Sequence, residues 1–253
     1  MDFPDLLRLI DERSAAFRAA VASAPSLDAP VPTCPGWTLA DLVQHLGVRR
    51  YSWAATIAAG PGATARAPEE VAPPMPQDRE SQVAWLAWST QAQLDALREA
   101  GPDRGVWSWW DEAQAPHTCG VLARHQLQEI AVHTYDAQLT VGAAEPLPEA
   151  VALDGVEDFL LTVVATTVPW PHTPAVIDYH LNEGRSWRLL LSGEGIRVVQ
   201  LENPAEAGPA GFSARGAASD LVLWFYDRLP METLRVEGDQ GVLNQLIAWD
   251  PSA

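Results

Sequence analysis

The chain of 253 residues has no lysine: all 16 of its cationic side chains are arginine, against 33 carboxylates, for a formal net charge of −17. The absence removes whole reaction classes. A P-loop lysine, a pyridoxal Schiff-base lysine and the strand lysine of a protein kinase are all impossible. The acid excess, with a pI near 4.6, argues against a nucleic-acid or anionic-membrane partner, because phosphate binding depends on cation contacts. Cysteine is scarce; Cys34 and Cys119 form no metal motif by themselves. No apolar run approaches the roughly 18–20 residues of a membrane span. The opening MDFPDLLRLIDERSAAF is charged from its second residue and shows no signal-peptide core, so the expectation is a cytoplasmic protein with reduced thiols.

What is present describes a globular chain with ample core. Hydrophobic residues make up 47% and charged residues 19%, far from a disordered composition. Eleven tryptophans favour aromatic-lined surfaces or pockets. Residues 4–24 carry Leu6, Leu7, Ile10, Phe17 and Val21 at helical spacing. Pro30, Pro32, Pro35 and Gly36 break the chain before Thr38, which with Asp41 forms a capping-box pattern opening LADLVQHLGVRRYSWAATIAA. Residues 60–76, rich in Pro, Ala and Gly, read as a loop. Helical patterns follow at about 80–99 and, after the Trp-rich VWSWWDEAQAPHTCG, at about 119–141, where Gly142 supplies a stop. Four long helices with modest connections suggest a four-helix bundle.

A fifth helical pattern, PEAVALDGVEDFLLTVVATTV, runs into the punctuation PWPHTP. Beyond it VIDYHL, SWRLLLS and GIRVVQL read as short strands separated by turn signals. A Gly/Ala/Pro loop then leads to a helix-like ASDLVLWFYDRL, a short LRVEG strand and a helix-like GVLNQLIAW. The expected fold class is therefore α+β, with a helical bundle over 1–170 and a small α+β domain over 171–253.

The most informative chemistry lies in the fourth helix. Glu129 and His133, four residues apart, share one helix face, so both side chains can reach a common ion. Asp136 sits three residues further along the stripe, placed to accept from the imidazole N–H. His45 shares a stripe with Leu42 and Leu46 and should face the bundle interior. Two histidines and a glutamate with an open position are a catalytic zinc ligand set. Spacing alone leaves a plainer reading open, in which Glu129 and His133 are a solvated pair and His45 a hydrogen-bonded core histidine. Cys34 reads as a structural thiol, and Cys119 heads the fourth helix with no base beside it. Most of the tryptophans read as core, with Trp107, Trp109 and Trp110 the better candidates for a pocket wall.

Three segments carry a family resemblance. VPTCPGWTLADLVQHLG at 31–47 resembles a signature of the mycothiol-dependent maleylpyruvate isomerase family, a branch of the DinB-like metal-binding bundles, and LARHQLQEIAVHTYDAQLTVG at 122–142 resembles its second signature. ASDLVLWFYDRLP at 218–230, followed by LRVEGD, is similar to the accompanying C-terminal domain. The resemblance implies a DinB-like bundle with a sterol-carrier-like C-terminal domain. It places the family's metal ligands on His45, Glu129 and His133, and a functional arginine on Arg228, with Arg235 as the alternative. Thr134 stands where related sequences commonly carry arginine.

The resemblance further implies a divalent metal, zinc by preference, and a low-molecular-weight thiol, mycothiol in the family's actinobacterial members. Coordination deprotonates a thiol near neutral pH. In an isomerase the thiolate adds to a cis alkene conjugated to a carbonyl, the bond rotates, and the thiol is expelled from the trans product. In an S-transferase it stays attached to the electrophile. Arg228 would hold a substrate carboxylate or stabilise the enolate. The implied partners are an α-keto acid or other small electrophile and the thiol, acting on a monomer or small homo-oligomer. A regulatory bundle that keeps the triad without catalysis is the other expectation.

Overall fold

The computed structural model of the chain describes residues 1–251. Four long helices come first: α1 (Phe3–Ser23), α2 (Leu39–Ala59), α3 (Arg79–Ala100) and α4 (Cys119–Thr140). Each start is fixed by its own cap. Asp2, Thr38, Asp78 and Thr118 accept backbone N–H groups of the first turns of α1, α2, α3 and α4 respectively. Thr38 and Asp41 complete the reciprocal capping box, and the Thr38 hydrogen bonds hold the Asp41 carboxyl below its usual range. α4 closes at Gly142, in the left-handed region at φ 73°. Around the bundle α1 packs on α4 and α3, and α2 on α3 and α4. Leu39, Leu42, Leu46, Ile57, Leu86, Leu94, Leu122 and Leu127 fill the interior. No helix of the described residues is long and apolar enough to cross a membrane.

α5 (Glu149–Phe159) continues into a π-helical turn, Leu160–Val164, rather than running on to residue 168 as the apolar pattern suggests. The turn ends at Ala165, and Thr166 instead pairs with a strand through reciprocal hydrogen bonds to Ile196. The remainder is a five-stranded sheet with β1 (Ala175–Leu181), β2 (Ser186–Ser192), β3 (Gly195–Gln200), β4 (Phe212–Gly216) and β5 (Arg235–Gly238), plus α6 (Ala218–Phe225) and α7 (Gln240–Ala248). The strand order is β3-β2-β1-β4-β5, and all neighbours are antiparallel except β1 and β4. Strand β4 falls inside the segment expected to be loop; FSARG alternates over only five residues between glycines, too short to stand out by period. The architecture is α+β.

The chain divides into two compact units, Met1–Trp109 with His117–Asp154, and Trp110–Pro116 with Gly155–Ala253. The change from helix to strand comes later than this division, at the PWPHTP segment where the sequence pattern shifts. Residues 110–116 belong with the sheet because Gln114 covers its open edge. The Gln114 amide accepts from Val198 N–H at 2.7 Å and donates to Val198 C=O at 3.0 Å, satisfying β3 groups that would otherwise face solvent. On one sheet face Ile177, Tyr179, Leu189, Phe212 and Ala214 are buried, and α6 and α7 pack on β4. On the other, Arg188 forms a two-pronged ion pair with Asp178, at 2.8 and 2.7 Å, and bonds the carbonyls of Ala207 and Gly208.

Candidate metal centre

The segment between α1 and α2 is a knot of hydrogen bonds rather than a plain linker. Cys34 N–H donates to Val31 C=O, Trp37 N–H to Cys34 C=O and Val31 N–H to Trp37 C=O, at 2.9–3.1 Å. Gly36 adopts φ +82°, a region costly for any residue with a Cβ, which explains the Pro-Gly-Trp sequence. The knot presents Thr33 and Cys34 to α4 and Trp37 to α2.

In the N-terminal unit α2 supplies His45, and α4 supplies Glu129 and His133 from successive turns. One ligand atom from each lies within 4.8 Å of the others, a set able to hold a metal ion. His45 Nε2 lies 3.0 Å from Glu129 Oε1, and His133 Nε2 lies 3.6 Å from the same oxygen. The two imidazoles meet nearly edge-on, with centroids 5.3 Å apart. Side-chain exposures of 21%, 31% and 13% for His45, Glu129 and His133 leave the cluster open to an incoming ligand. Two imidazole nitrogens and a carboxylate suit a divalent ion, zinc included.

Asp136 determines which His133 nitrogen faces the cluster. His133 Nδ1–H donates to Asp136 Oδ2 at 2.8 Å, so Nε2 points to Glu129 and His45. Asp136 is fully buried and held from the other side by the Thr33 hydroxyl at 2.6 Å and the Cys34 thiol at 3.5 Å. Spacing therefore locates Asp136, whereas the roles of Thr33 and Cys34 appear only in three dimensions. Cys34, His133 and Asp136 also form a compact donor cluster. Nδ1 of His133 is engaged by Asp136 there, and the Nε2 cluster is the one that opens outward.

The electrostatics are those of a carboxylate between two imidazoles. Burial opposes ionisation of Glu129, but hydrogen bonds from His133 and His45 and their charge hold its carboxyl well below the usual range. Burial likewise opposes the His133 imidazolium, yet hydrogen bonds to Asp136, Cys34 and Glu129 hold its pKa well above the ordinary value. The imidazolium favoured at His133 lies where a divalent cation would be held, so metal loading would displace its proton. Nearby, Arg50 of α2 is 3% exposed and donates to Thr90 Oγ1 at 2.8 Å and Ser14 Oγ at 2.9 Å. Burial and Arg18 push its pKa down to about 9, against the opposing charge of Glu129. Sequence pattern gave no signal for this buried cation, because its partners Ser14 and Thr90 lie on other helices.

Trp37 packs on His45 at a centroid distance of 5.0 Å, and beside them Gln44, His45, Val48 and Glu69 line a cavity of about 400 Å³. Trp107, favoured as a pocket wall, instead stacks on Trp53 at 6.0 Å. Trp110 is buried, and Trp109 meets His125 edge-on. Thr134 is buried, donating to Ile130 C=O at 2.6 Å and to Arg13 C=O of α1 at 3.1 Å, so it faces a helix contact. Cys119 is buried and its thiol pKa is pushed up, against the lowering a helix N-terminus could provide. In the C-terminal unit, Arg228 follows α6; its backbone N–H donates to Leu223 C=O at 2.7 Å and its guanidinium to Tyr226 C=O. Arg235 lies on β5, 76% exposed and paired with Glu237 at 2.8 Å.

If Asp136 orients His133 through this clamp, Thr33→Val weakens divalent-metal binding about tenfold, the low end of losses from disturbing a ligand's hydrogen-bond partner. Competition against a chelator measures it, and an unchanged affinity would remove Thr33 from the account.

Together, these features define a two-unit α+β chain with a candidate metal centre in its helical unit. The chain belongs to the mycothiol maleylpyruvate isomerase family: the family model described as Mycothiol maleylpyruvate isomerase N-terminal domain matches residues 7–138, and that described as MDMPI C-terminal domain matches residues 150–245. Among solved structures, the mycothiol-dependent maleylpyruvate isomerase superposes with a TM-score of 0.60, and its histidine-to-alanine mutant with 0.61. Both are 11% identical in sequence, over 94% of this chain and 93% of theirs. A sequence comparison with curated proteins gave no match.

Proposed function

We propose that this chain is a thiol-dependent metalloenzyme, isomerising maleylpyruvate or a closely related unsaturated α-keto acid by reversible addition of mycothiol. The observation that carries the reading is the convergence of His45, Glu129 and His133 within a chain that matches both family models. His45 Nε2, Glu129 Oε1 and His133 Nε2 would hold the divalent ion, with zinc favoured by the donor set. A bound zinc supplies the Lewis acidity that makes a thiol nucleophilic at neutral pH. The chain's own residues do the rest. Asp136 keeps a proton on His133 Nδ1 and leaves Nε2 free to donate its lone pair. Thr33 and Cys34 hold Asp136 still. Trp37 and Val48 give the cavity beside His45 apolar wall, while Gln44 offers an amide to a polar ligand. Arg228 takes, by resemblance, the role of holding the substrate carboxylate. The protein is read as cytoplasmic, and as a monomer or small homo-oligomer.

Isomerisation and S-transfer share the thiolate addition and differ in whether the thiol leaves. Incubating zinc-loaded protein with maleylpyruvate and mycothiol and weighing the products separates them. The expected product has the substrate's mass and the trans geometry, with the thiol recovered. A stable adduct one thiol heavier would make it an S-transferase. No product of either kind, with metal bound, would favour the regulatory reading.

A further inference from the structure

We propose that the C-terminal sheet carries a binding site for one small oxyanion, a carboxylate or a phosphate, built from His180, Ser213, Arg215 and Arg235. The strand register sets the arrangement. His180 of β1 stands beside Arg215 of β4, and Arg215 stands opposite Arg235 of β5. Adjacent strands lie about 5 Å apart, so two arginines and an imidazole form a row on one face. Burial and the Arg215 charge hold the His180 pKa below its ordinary value, so its ring enters as a neutral hydrogen-bonding group. Ser213, two residues before Arg215 on the same face, adds a hydroxyl, and Glu237 adds one carboxylate. These five residues line a hollow of about 250 Å³, room for one small anion.

The charges are not internally balanced. Arg235 is paired with Glu237 at 2.8 Å, and Asp178, the next carboxylate on this face, is taken by both prongs of Arg188. The Arg215 guanidinium, unlike its backbone, makes no hydrogen bond or ion pair among the described residues. Like charges directly opposite on neighbouring strands repel, and sheets ordinarily avoid them. In a chain with 33 carboxylates and 16 cations, two arginines facing each other, with Glu237 paired to Arg235 alone, are a concentration of positive charge against the overall field. Guanidinium groups on adjacent strands present N–H donors matched to a carboxylate or phosphate, and the Ser213 hydroxyl and a His180 ring nitrogen supply further contacts. His180 already has its Nδ1 within 2.9 Å of Ser186 Oγ, which leaves Nε2 for the ligand.

Calorimetric titration of the full chain with inorganic phosphate, and separately with malonate, tests the site at ionic strength held constant with chloride. The expected result is saturable binding of at least one probe. Loss of a charge-assisted hydrogen bond predicts affinity about tenfold weaker in Arg215→Gln and in Arg235→Gln. Phosphate alone would assign a phosphate ligand, and malonate alone a carboxylate. Binding should persist in His133→Ala, which separates this site from the candidate metal centre. No saturable binding of either probe, equal affinity in Arg215→Gln and the unaltered chain, or binding abolished by His133→Ala would each overturn the proposal.

Discussion

His133→Ala is expected to abolish stable metal binding and, with it, thiol-dependent turnover. The substitution removes one of three ligand atoms and leaves Asp136 buried without the imidazole it orients. Disturbing a hydrogen-bond partner of a ligand costs roughly 10–100-fold in metal affinity, so loss of the ligand itself should exceed about 100-fold. The bundle should survive, because His133 is part of an outward-opening cluster while the apolar interior is built from other residues. Metal analysis after gel filtration and a thermal melt check both statements. Full metal occupancy in the folded variant would remove His133 from the site, and a variant that fails to fold would show that the residue is structural.

The second large effect is on stability, at Gly47. This glycine lies on α2 two residues after His45, and a Cβ there would come within 1.9 Å of Trp85 Cζ3 and 2.2 Å of Cη2. Comfortable carbon contacts begin near 3.5 Å. Trp85 cannot swing aside freely: it is 2% exposed and its indole N–H donates to Pro73 C=O at 3.1 Å. Helix propensity favours alanine by about 1 kcal/mol, whereas overpacking a close helix contact costs about 1–3 kcal/mol and sometimes more. A clash this short places Gly47→Ala at the upper end, a net loss of about 2 kcal/mol, read as a lower denaturation midpoint at unchanged slope. Trp85→Leu in the same background should recover part of the loss, a coupling that a double-mutant cycle detects. Equal stability of Gly47→Ala and the unaltered chain would mean that α2 and α3 do not pack this closely.

The helices and the shared face of Glu129 and His133 are legible in the sequence for the same reason. Both depend on spacing along one element: the apolar stripes of α1 to α4, the Thr38–Asp41 cap, and the four residues between Glu129 and His133 all repeat with the helical turn. The pairing of His45 with α4 was legible because Leu42 and Leu46 mark the inward face. What spacing could not reveal were contacts between distant segments. The Thr33 and Cys34 hydrogen bonds to Asp136 cross about a hundred positions, and no local rule marks Cys34 as more than a buried thiol. Arg50 was hidden because its partners, Ser14 and Thr90, come from two other helices. Strand β4 is not legible because a short segment between glycines becomes an interior strand only when β1 and β5 lie alongside it. The end of α5 is not legible because an uninterrupted apolar run does not distinguish an α-helix from one that widens into a π turn at Leu160.

The central claim is that His45, Glu129 and His133 hold a metal on which a thiol reaction depends. One measurement addresses it most directly: metal content and turnover of the unaltered chain in a single preparation, with and without mycothiol and before and after chelation. The account predicts about one zinc per chain, the number one ligand triad can hold. It also predicts turnover only when metal and thiol are both present, with activity restored by zinc after chelation. Undiminished turnover without thiol, or by metal-free protein, would contradict it.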